Sequence, residues 1–418
     1  MNYELFCTFA SIMKKRTILG LFCLLSVSLF AQTEQIVSEL PTTSDTTEQQ
    51  LPWPLQMQSQ LDSMMRDPLL DYTQMGLMVW DLTDDCQLFG MNQHQLLRPA
   101  STMKLVTAIT ALDYLGTNYQ YTTSLYYKGE ITDHTLHGDL YCVGGLDPAF
   151  SYGDLDAFAQ NVKQQGIDTI CGSIIADNTM KDTLKWGEGW CWDDDNPTLS
   201  PLLVDRKDNF LMQFIDALSR YEIVLQDITI KEGIVDEEAT LLSQQKRSID
   251  QILLRMMKDS DNLYAESMYY QIAAHRDHPG KTIYAQRQQK ALMERAGLNS
   301  SRYKLADGSG LSLYNYLSAE CLLRLLRYAY QHKPIYEHLL PSLPIAGEDG
   351  TLKKRMIGTH AEGNVQAKTG TLTGIISLAG YCTASNGHRL CFAIINQGAL
   401  SSKAARTYQD KICDILCE

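Results

Sequence analysis

Residues 98–112 read Arg98-Pro99-Ala100-Ser101-Thr102-Met103-Lys104-Leu105-Val106-Thr107-Ala108-Ile109-Thr110-Ala111-Leu112. Pro99 suits a helix start and Gly116 a helix stop, so the spacing predicts a helix from about Ser101 to Leu115. Leu105, Val106, Ala108, Ile109, Ala111 and Leu112 cover almost its whole circumference. A helix that is apolar all round belongs at the centre of a core. Lys104 stands three residues after Ser101 on one face, about 5–6 Å away at Cβ. The amine therefore reaches the hydroxyl.

Ser-x-x-Lys alone says little, because Ser11/Lys14, Ser243/Lys246 and Ser301/Lys304 repeat the spacing. Two rarer triplets follow it in order, Ser260-Asp261-Asn262 and Lys368-Thr369-Gly370, each occurring once. Together the three supply a nucleophile, a base, a second hydroxyl with an amide, and a cationic strand edge. Those parts open an amide through a serine ester without histidine. Each motif alone reads better as an N-cap, a turn or a strand end; the ordered set carries the functional reading.

An ordinary lysine, with a pKa of about 10.4, is charged at neutral pH and useless as a base. Burial, the positive end of the helix dipole and a second cation at Lys368 all push Lys104 towards the neutral amine. Ser101 and Lys104 are thus the expected nucleophile and base, with Ser260 relaying a proton to the leaving amine. The Ser101 and Thr371 N–H groups are the expected oxyanion donors. Lys368, Thr369 and Thr371 suit a substrate carboxylate, Asn262 a peptide carbonyl, and Gly370 the close approach of substrate backbone. Asp261 is expected to orient its own loop.

Outward from these motifs, Gly76–Trp80 and Gln87–Gly90 read as strands around an Asp84-Asp85 turn. Between 119 and 245, short strand-like runs (Tyr121–Tyr127, Asp139–Val143, Gly172–Ile175, Asp227–Ile230) alternate with turns and one helix at Leu155–Gln165. Ser248-x-x-Gln251 is a capping box before Ile249, Ile252, Leu253, Met256 and Met257. Further helices fit from Leu263, over 282–296 and over 318–332. The end is β: Val365–Thr369, Ile375–Thr383, an Asn386-Gly387 turn and Arg389–Asn396, then a helix near 402–416. This order predicts a discontinuous catalytic domain, 55–118 with 246–418, and an inserted α/β lobe over 119–245.

The N-terminus reads as a cleaved export signal over 1–31: Lys14-Lys15-Arg16, an apolar run Ile18–Phe30, then Ala31. Met13 is a candidate start. A polar tether follows over 32–54, and a soluble periplasmic protein is the expectation. The chain has 418 residues and a formal net charge of −13 with no Lys/Arg stripe, which argues against nucleic acid as a partner. Nine cysteines follow the signal without a regular framework; Cys382 and Cys391, on adjacent predicted strands, are candidates to pair. His134/His137 and His275/His278 lack companions at zinc spacing, so neither metal nor cofactor is expected.

With these motifs in place, the chain resembles the class C low-molecular-mass penicillin-binding proteins, the D-alanyl-D-alanine carboxypeptidase/endopeptidases of bacterial cell walls. The resemblance spans most of 55–410. It includes Arg98–Lys104, Gly144-Gly-Leu-Asp-Pro148, Val204-Asp-Arg206, Asp307-Gly-Ser-Gly-Leu-Ser312 and Leu343–Leu352 with Arg355. It implies a mixed α/β (α+β) fold: a β-lactamase/transpeptidase-like core, an antiparallel sheet sandwiched by helices. It further implies hydrolysis of D-Ala–D-X bonds in peptidoglycan stem peptides and covalent inhibition by β-lactam antibiotics. By similarity, Asp177 and Arg355 line a pocket for a stem-peptide side chain. The interval from Arg206 to Ser260 is short for the family, so a second insert subdomain is expected to be reduced or absent. The rivals are a β-lactamase of the same superfamily, which lacks its Glu-x-x-Leu-Asn here, and a catalytically silent wall-binding protein, against which Ser101 and Lys104 argue.

Overall fold

The computed structural model describes residues 51–275 and 279–418. The export signal and nearly all of the 32–54 stretch lie outside the described residues, as does His278. Helix α1 (Leu55–Met64) precedes strands β1 (Gln74–Asp81) and β2 (Cys86–Met91) and helix α2 (Met103–Tyr114). Next come β3 (Gln120–Thr132), β4 (Thr135–Val143), α3 (Tyr152–Gln164), β5 (Thr169–Asp177), α4 (Phe210–Arg220), β6 (Val224–Glu232) and β7 (Thr240–Ser248). Helices α5 (Ile249–Lys258), α6 (Asn262–Ala274), α7 (Thr282–Arg295), α8 (Ala319–Gln331) and α9 (Lys333–Ser342) follow. The chain closes with β8 (Gln366–Leu372), β9 (Ile375–Thr383), β10 (Arg389–Gln397) and α10 (Ser402–Cys417).

Two five-stranded sheets result. The first runs β2-β1-β10-β9-β8, antiparallel throughout, with β8 at an edge. Alternation along its strands serves two cores at once. Met78, Ala379, Tyr381, Cys391, Ala393 and Ile395 meet α2 and α5–α9 on one face. Leu77, Val79, Leu378, Phe392 and Ile394 meet α10 and Met57 and Leu61 of α1 on the other. The sheet is therefore sandwiched by helices, and α2, whose residues Met103–Leu112 are all buried, sits inside the larger core. The second sheet, β6-β5-β4-β3-β7, is mixed, with β4–β5–β6 parallel, and packs α3 and α4 through Phe158, Phe210 and Phe214. No helix among the described residues is long and apolar enough to cross a membrane.

Several elements differ from expectation. Between 119 and 245 there are two helices, not one: Phe210, Phe214, Ala217 and Leu218 of α4 repeat at helical spacing and are buried. Strand β7 is largely polar and shows no alternation, and α9 begins at a His-Lys-Pro junction that reads as a break. Cys382 and Cys391 do stand on adjacent strands, but the register pairs Cys382 with Leu390 and Cys391 with Tyr381. One residue out of step, they face opposite cores, so they do not pair. The cysteines from Cys86 to Cys417 are free thiols.

Helix α5 carries the chain into the second motif, and both halves of its capping box form: Gln251 N–H donates to Ser248 Oγ at 3.3 Å and Ser248 N–H to Gln251 Oε1 at 2.9 Å. Replacing Ser248 by Ala is expected to lower the unfolding free energy by about 1 kcal/mol in urea denaturation, with the m-value unchanged.

Candidate active site

The chain reaches Ser101 through a strained turn. Ala100 has a positive φ of 48°, and Ala100–Thr102 form a 3-10 turn ahead of α2, so Ser101 precedes the α-helix instead of opening it. The turn is tied down from below: Ser377 Oγ and Thr102 Oγ1 both donate to Pro99 O at 2.6 Å. Two glycines let neighbouring backbone press against it. A Cβ on Gly310 would stand 1.9 Å from Ala100 O. One on Gly370 would stand 2.1 Å from Ser377 Oγ, 2.8 Å from Pro99 O and 3.0 Å from Ser101 N. The glycine of the third motif is thus required by the chain's own packing, a reason that the sequence reading assigned to substrate.

Lys104, on the first turn of α2, is completely buried. Its Nζ donates to Ser101 Oγ at 3.0 Å, Asn262 Oδ1 at 2.7 Å and Ser309 O at 2.8 Å. Ser260 occupies a left-handed conformation, φ 61°, in the tight passage from α5 to α6. Asp261 caps α6 by accepting from Leu263 N at 3.0 Å and Tyr264 N at 3.4 Å. It is itself held by Arg206 at 2.6 Å and Arg255 at 3.4 Å, so it orients its loop. On edge strand β8, buried Lys368 donates to Ser260 Oγ and to Thr369 O, both at 2.8 Å. Thr369 Oγ1 meets Thr351 Oγ1 at 2.7 Å, and Arg406 donates to Thr371 Oγ1 at 3.2 Å. Ser101, Lys104, Ser260, Asn262 and Lys368 are therefore linked around one site, and Gly370 abuts the Ser101 amide.

Behind these lies a layer built on Glu266, which the sequence reading missed, and on the Asp307–Ser312 loop, which it quoted without a role. Glu266, one turn along α6 from Asn262 and buried, accepts from Gly308 N at 3.1 Å and Ser309 N at 2.7 Å. Asp307 accepts from Trp190 Nε1, Gly310 N, Ser312 N and Asn315 Nδ2. Thr107 Oγ1 donates to Gly308 O at 2.7 Å. These bonds fix the 307–312 loop so that the Ser309 carbonyl points at Lys104. The Asn262-to-Glu266 spacing of one helical turn was the available signal.

Burial has the largest effect on both amines. It pulls Lys104 down to about 8, while Asp307, Glu266 and Asp261 pull it up. Lys368 falls well below the ordinary lysine range through burial and the charge on Lys104. Burial and the Asp307 carboxylate push Glu266 up to about 8, opposed by its bonds from Ser309 and Gly308. Burial and mutual repulsion thus disfavour a proton on both amines at once.

Two cavities flank the motifs. One, of about 420 Å³, is lined by Asp195–Thr198, Arg206 and Asp259–Leu263. The other, of about 560 Å³, lies along Thr369, Gly370 and Thr371. Arg355 lines the second, but its guanidinium is held by Asp410 at 2.6 Å. Asp177 lines neither; its carboxylate accepts from Thr179 N, Thr179 Oγ1 and Val235 N. The structure does not bring Asp177 and Arg355 together around one of these cavities. Among the described residues, the groups with metal-ligand spacing are Asp81-Asp84-His388 and His360-Asp414-Glu418, neither of which includes a motif residue.

Comparison with known proteins gives a family match across nearly all of the described chain. The profile of the D-Ala-D-Ala carboxypeptidase 3 (S13) family matches residues 57–206 and 203–418. The D-alanyl-D-alanine carboxypeptidase of Actinomadura sp. strain R39 is 27% identical, over 87% of this chain and 85% of that protein. Penicillin-binding protein 4 (dacB) of Haemophilus influenzae has the same fold: TM-score 0.77, 22% identity, 85% of this chain and 97% of that one. Its complex with a β-lactam aligns with TM-score 0.68, 23% identity and the same coverage.

Two outcomes are expected at this site. If Lys104 is the base that takes the Ser101 proton, the rate of acylation by penicillin should rise with pH and reach half its plateau near pH 8, where the amine becomes neutral. Stopped-flow acylation across pH 6–10 reads this directly, where the ordinary lysine value would put the midpoint above 10. Gly370→Ala should reduce acylation about a hundredfold or more while unfolding free energy falls by about 1–3 kcal/mol, because the added methyl displaces the serine turn.

Proposed function

The chain belongs to the D-Ala-D-Ala carboxypeptidase 3 (S13) family, and from that membership we propose a serine-type hydrolase that cleaves D-Ala–D-X bonds of peptidoglycan stem peptides through a Ser101 ester. One observation carries the reading. A buried lysine amine lies within hydrogen-bond distance of a half-buried serine, and a second buried amine lies against Ser260, with no histidine at the site among the described residues.

In the proposed sequence, neutral Lys104 takes the Ser101 proton as Oγ attacks the carbonyl carbon of the penultimate D-Ala. The Ser101 and Thr371 N–H groups hold the oxyanion. The C–N bond then breaks, and the leaving amine takes the proton back from Lys104 through Ser260 Oγ. Water next attacks the ester with Lys104 as base, which releases the shortened peptide and restores Ser101. Asn262 Oδ1 is engaged by Lys104, which leaves Nδ2 to hold a substrate carbonyl. Lys368 offers N–H donors, and Thr369 and Thr371 offer hydroxyls, to the substrate carboxylate. Arg355 acts as a wall of the β8 cavity, and Asp177 shapes its own loop. β-Lactams would enter by the same acylation, and the stem peptide places the enzyme's work in the periplasm after export. The division into a catalytic domain (55–118 and 246–418) and an inserted lobe (119–245) belongs to this proposal.

The test is fluorescent-penicillin labelling of wild type, Ser101→Ala and Lys104→Ala, beside D-Ala release from a disaccharide pentapeptide and cleavage of a cross-linked dimer. Ser101→Ala is expected to lose the label and both activities, and Lys104→Ala to slow acylation about a thousandfold or more. Label retained by Ser101→Ala would remove that serine from its role.

A further inference from the structure

The cavity beside β8 contradicts the composition of the chain. The protein carries 49 acidic and 36 basic side chains, yet this cavity of about 560 Å³ is lined by Lys354, Arg355, Lys403 and Arg406 with Asp410 as its one acid. Asp410 is already paired with Arg355 at 2.6 Å. Among the described residues, no carboxylate forms an ion pair with Lys354, Lys403 or Arg406. Two of the three stand in the opening turns of α10, the positive end of its dipole, where a cation is disfavoured and where the first turn holds no acid. All three are exposed, so their charge is turned to the solvent in and around the cavity.

The cavity is continuous with the motif strand. Thr369 and Thr371 line it, Arg406 donates to Thr371 Oγ1 at 3.2 Å, and Thr351 extends the wall through its bond to Thr369 Oγ1. If the hydroxyls of Thr369 and Thr371 hold the carboxylate next to the scissile bond, the space beyond them receives the rest of the leaving group. A departing D-Ala carries one carboxylate and needs nothing further. Three cations lining one cavity without a carboxylate partner among the described residues fit a leaving group with several carboxylates and enough length to reach them.

We propose that this cavity is the leaving-group subsite and that it selects a polyanionic peptide: the acceptor strand of a cross-link, with two or more carboxylates beyond the scissile bond. The inference rests on the hydrolase reading and deepens it. It makes cross-linked peptide, not the single-stranded pentapeptide, the substrate that gains from Lys354, Lys403 and Arg406.

The experiment compares wild type, Lys403→Gln/Arg406→Gln and the charge-keeping Arg406→Lys on a cross-linked dimer and on the pentapeptide. The double variant is expected to lose at least about tenfold more kcat/KM on the dimer than on the pentapeptide, with the excess in KM. Arg406→Lys should retain most of the dimer activity. Raising NaCl from about 50 to 300 mM should weaken the wild type towards the dimer in the same way. Equal losses on both substrates, or none, would overturn the subsite. A second measurement does not depend on catalysis: calorimetric binding of a tricarboxylate tripeptide with a free amine to Ser101→Ala, with and without the two Gln substitutions. Binding that is lost with the substitutions supports the cavity, and absent or unaltered binding rejects it. Absence of label and hydrolysis in the wild type would instead reject the hydrolase reading.

Discussion

The structure depends on two lysine amines held out of water within one site. Lys104 and Lys368 are both completely buried, and neither has a carboxylate at ion-pair distance among the described residues. A buried ammonium without such a partner is costly, and the cheapest response is to release its proton. A helix buried from Met103 to Leu112 carries the first amine, and an edge strand carries the second. Asn262 accepts from the first and Ser260 from the second. A site designed only for stability would not bury two cations of one sign together.

Close packing makes this arrangement definite. The serine turn is strained at Ala100 and held by Gly310, Gly370, Ser377 and Thr102. Ser260 is a second non-glycine residue in the left-handed region, held between a helix end and an Asp261 cap that Arg206 and Arg255 secure. Strain at both hydroxyl-bearing turns is maintained by neighbours that over-determine them, as expected where positioning matters more than local stability. Glu266 and Asp307 complete the frame by fixing the loop whose carbonyl faces Lys104.

Much of this was legible in the sequence because it is local. The Ser101/Lys104 spacing, the capping box at Ser248 and the Asn386-Gly387 hairpin each express a relation over a few residues. The antiparallel sheet between helices followed from the family resemblance and from the C-terminal strands joined at Asn386-Gly387. What stayed hidden depends on contacts between distant segments. Arg206 gives no local hint that it clasps Asp261, 55 residues away. Glu266 lies in an unbroken buried run, Leu263–Ala273, where its carboxylate has no sequence context. The need for glycine at 370 arises from Pro99 and Ser101, and the Cys382/Cys391 candidate failed on a register offset of one residue. Asp177 and Arg355 were carried by similarity, and each engages partners that spacing does not reveal.

The central claim is that Lys104 carries its proton loosely. Nitrogen-15 NMR of lysine-labelled protein, with the Lys104 amine assigned by its loss in Lys104→Arg, measures that titration on the atom itself. A midpoint near 8 is expected, because burial outweighs the opposing pull of Asp307, Glu266 and Asp261. A midpoint above 10 would contradict the account.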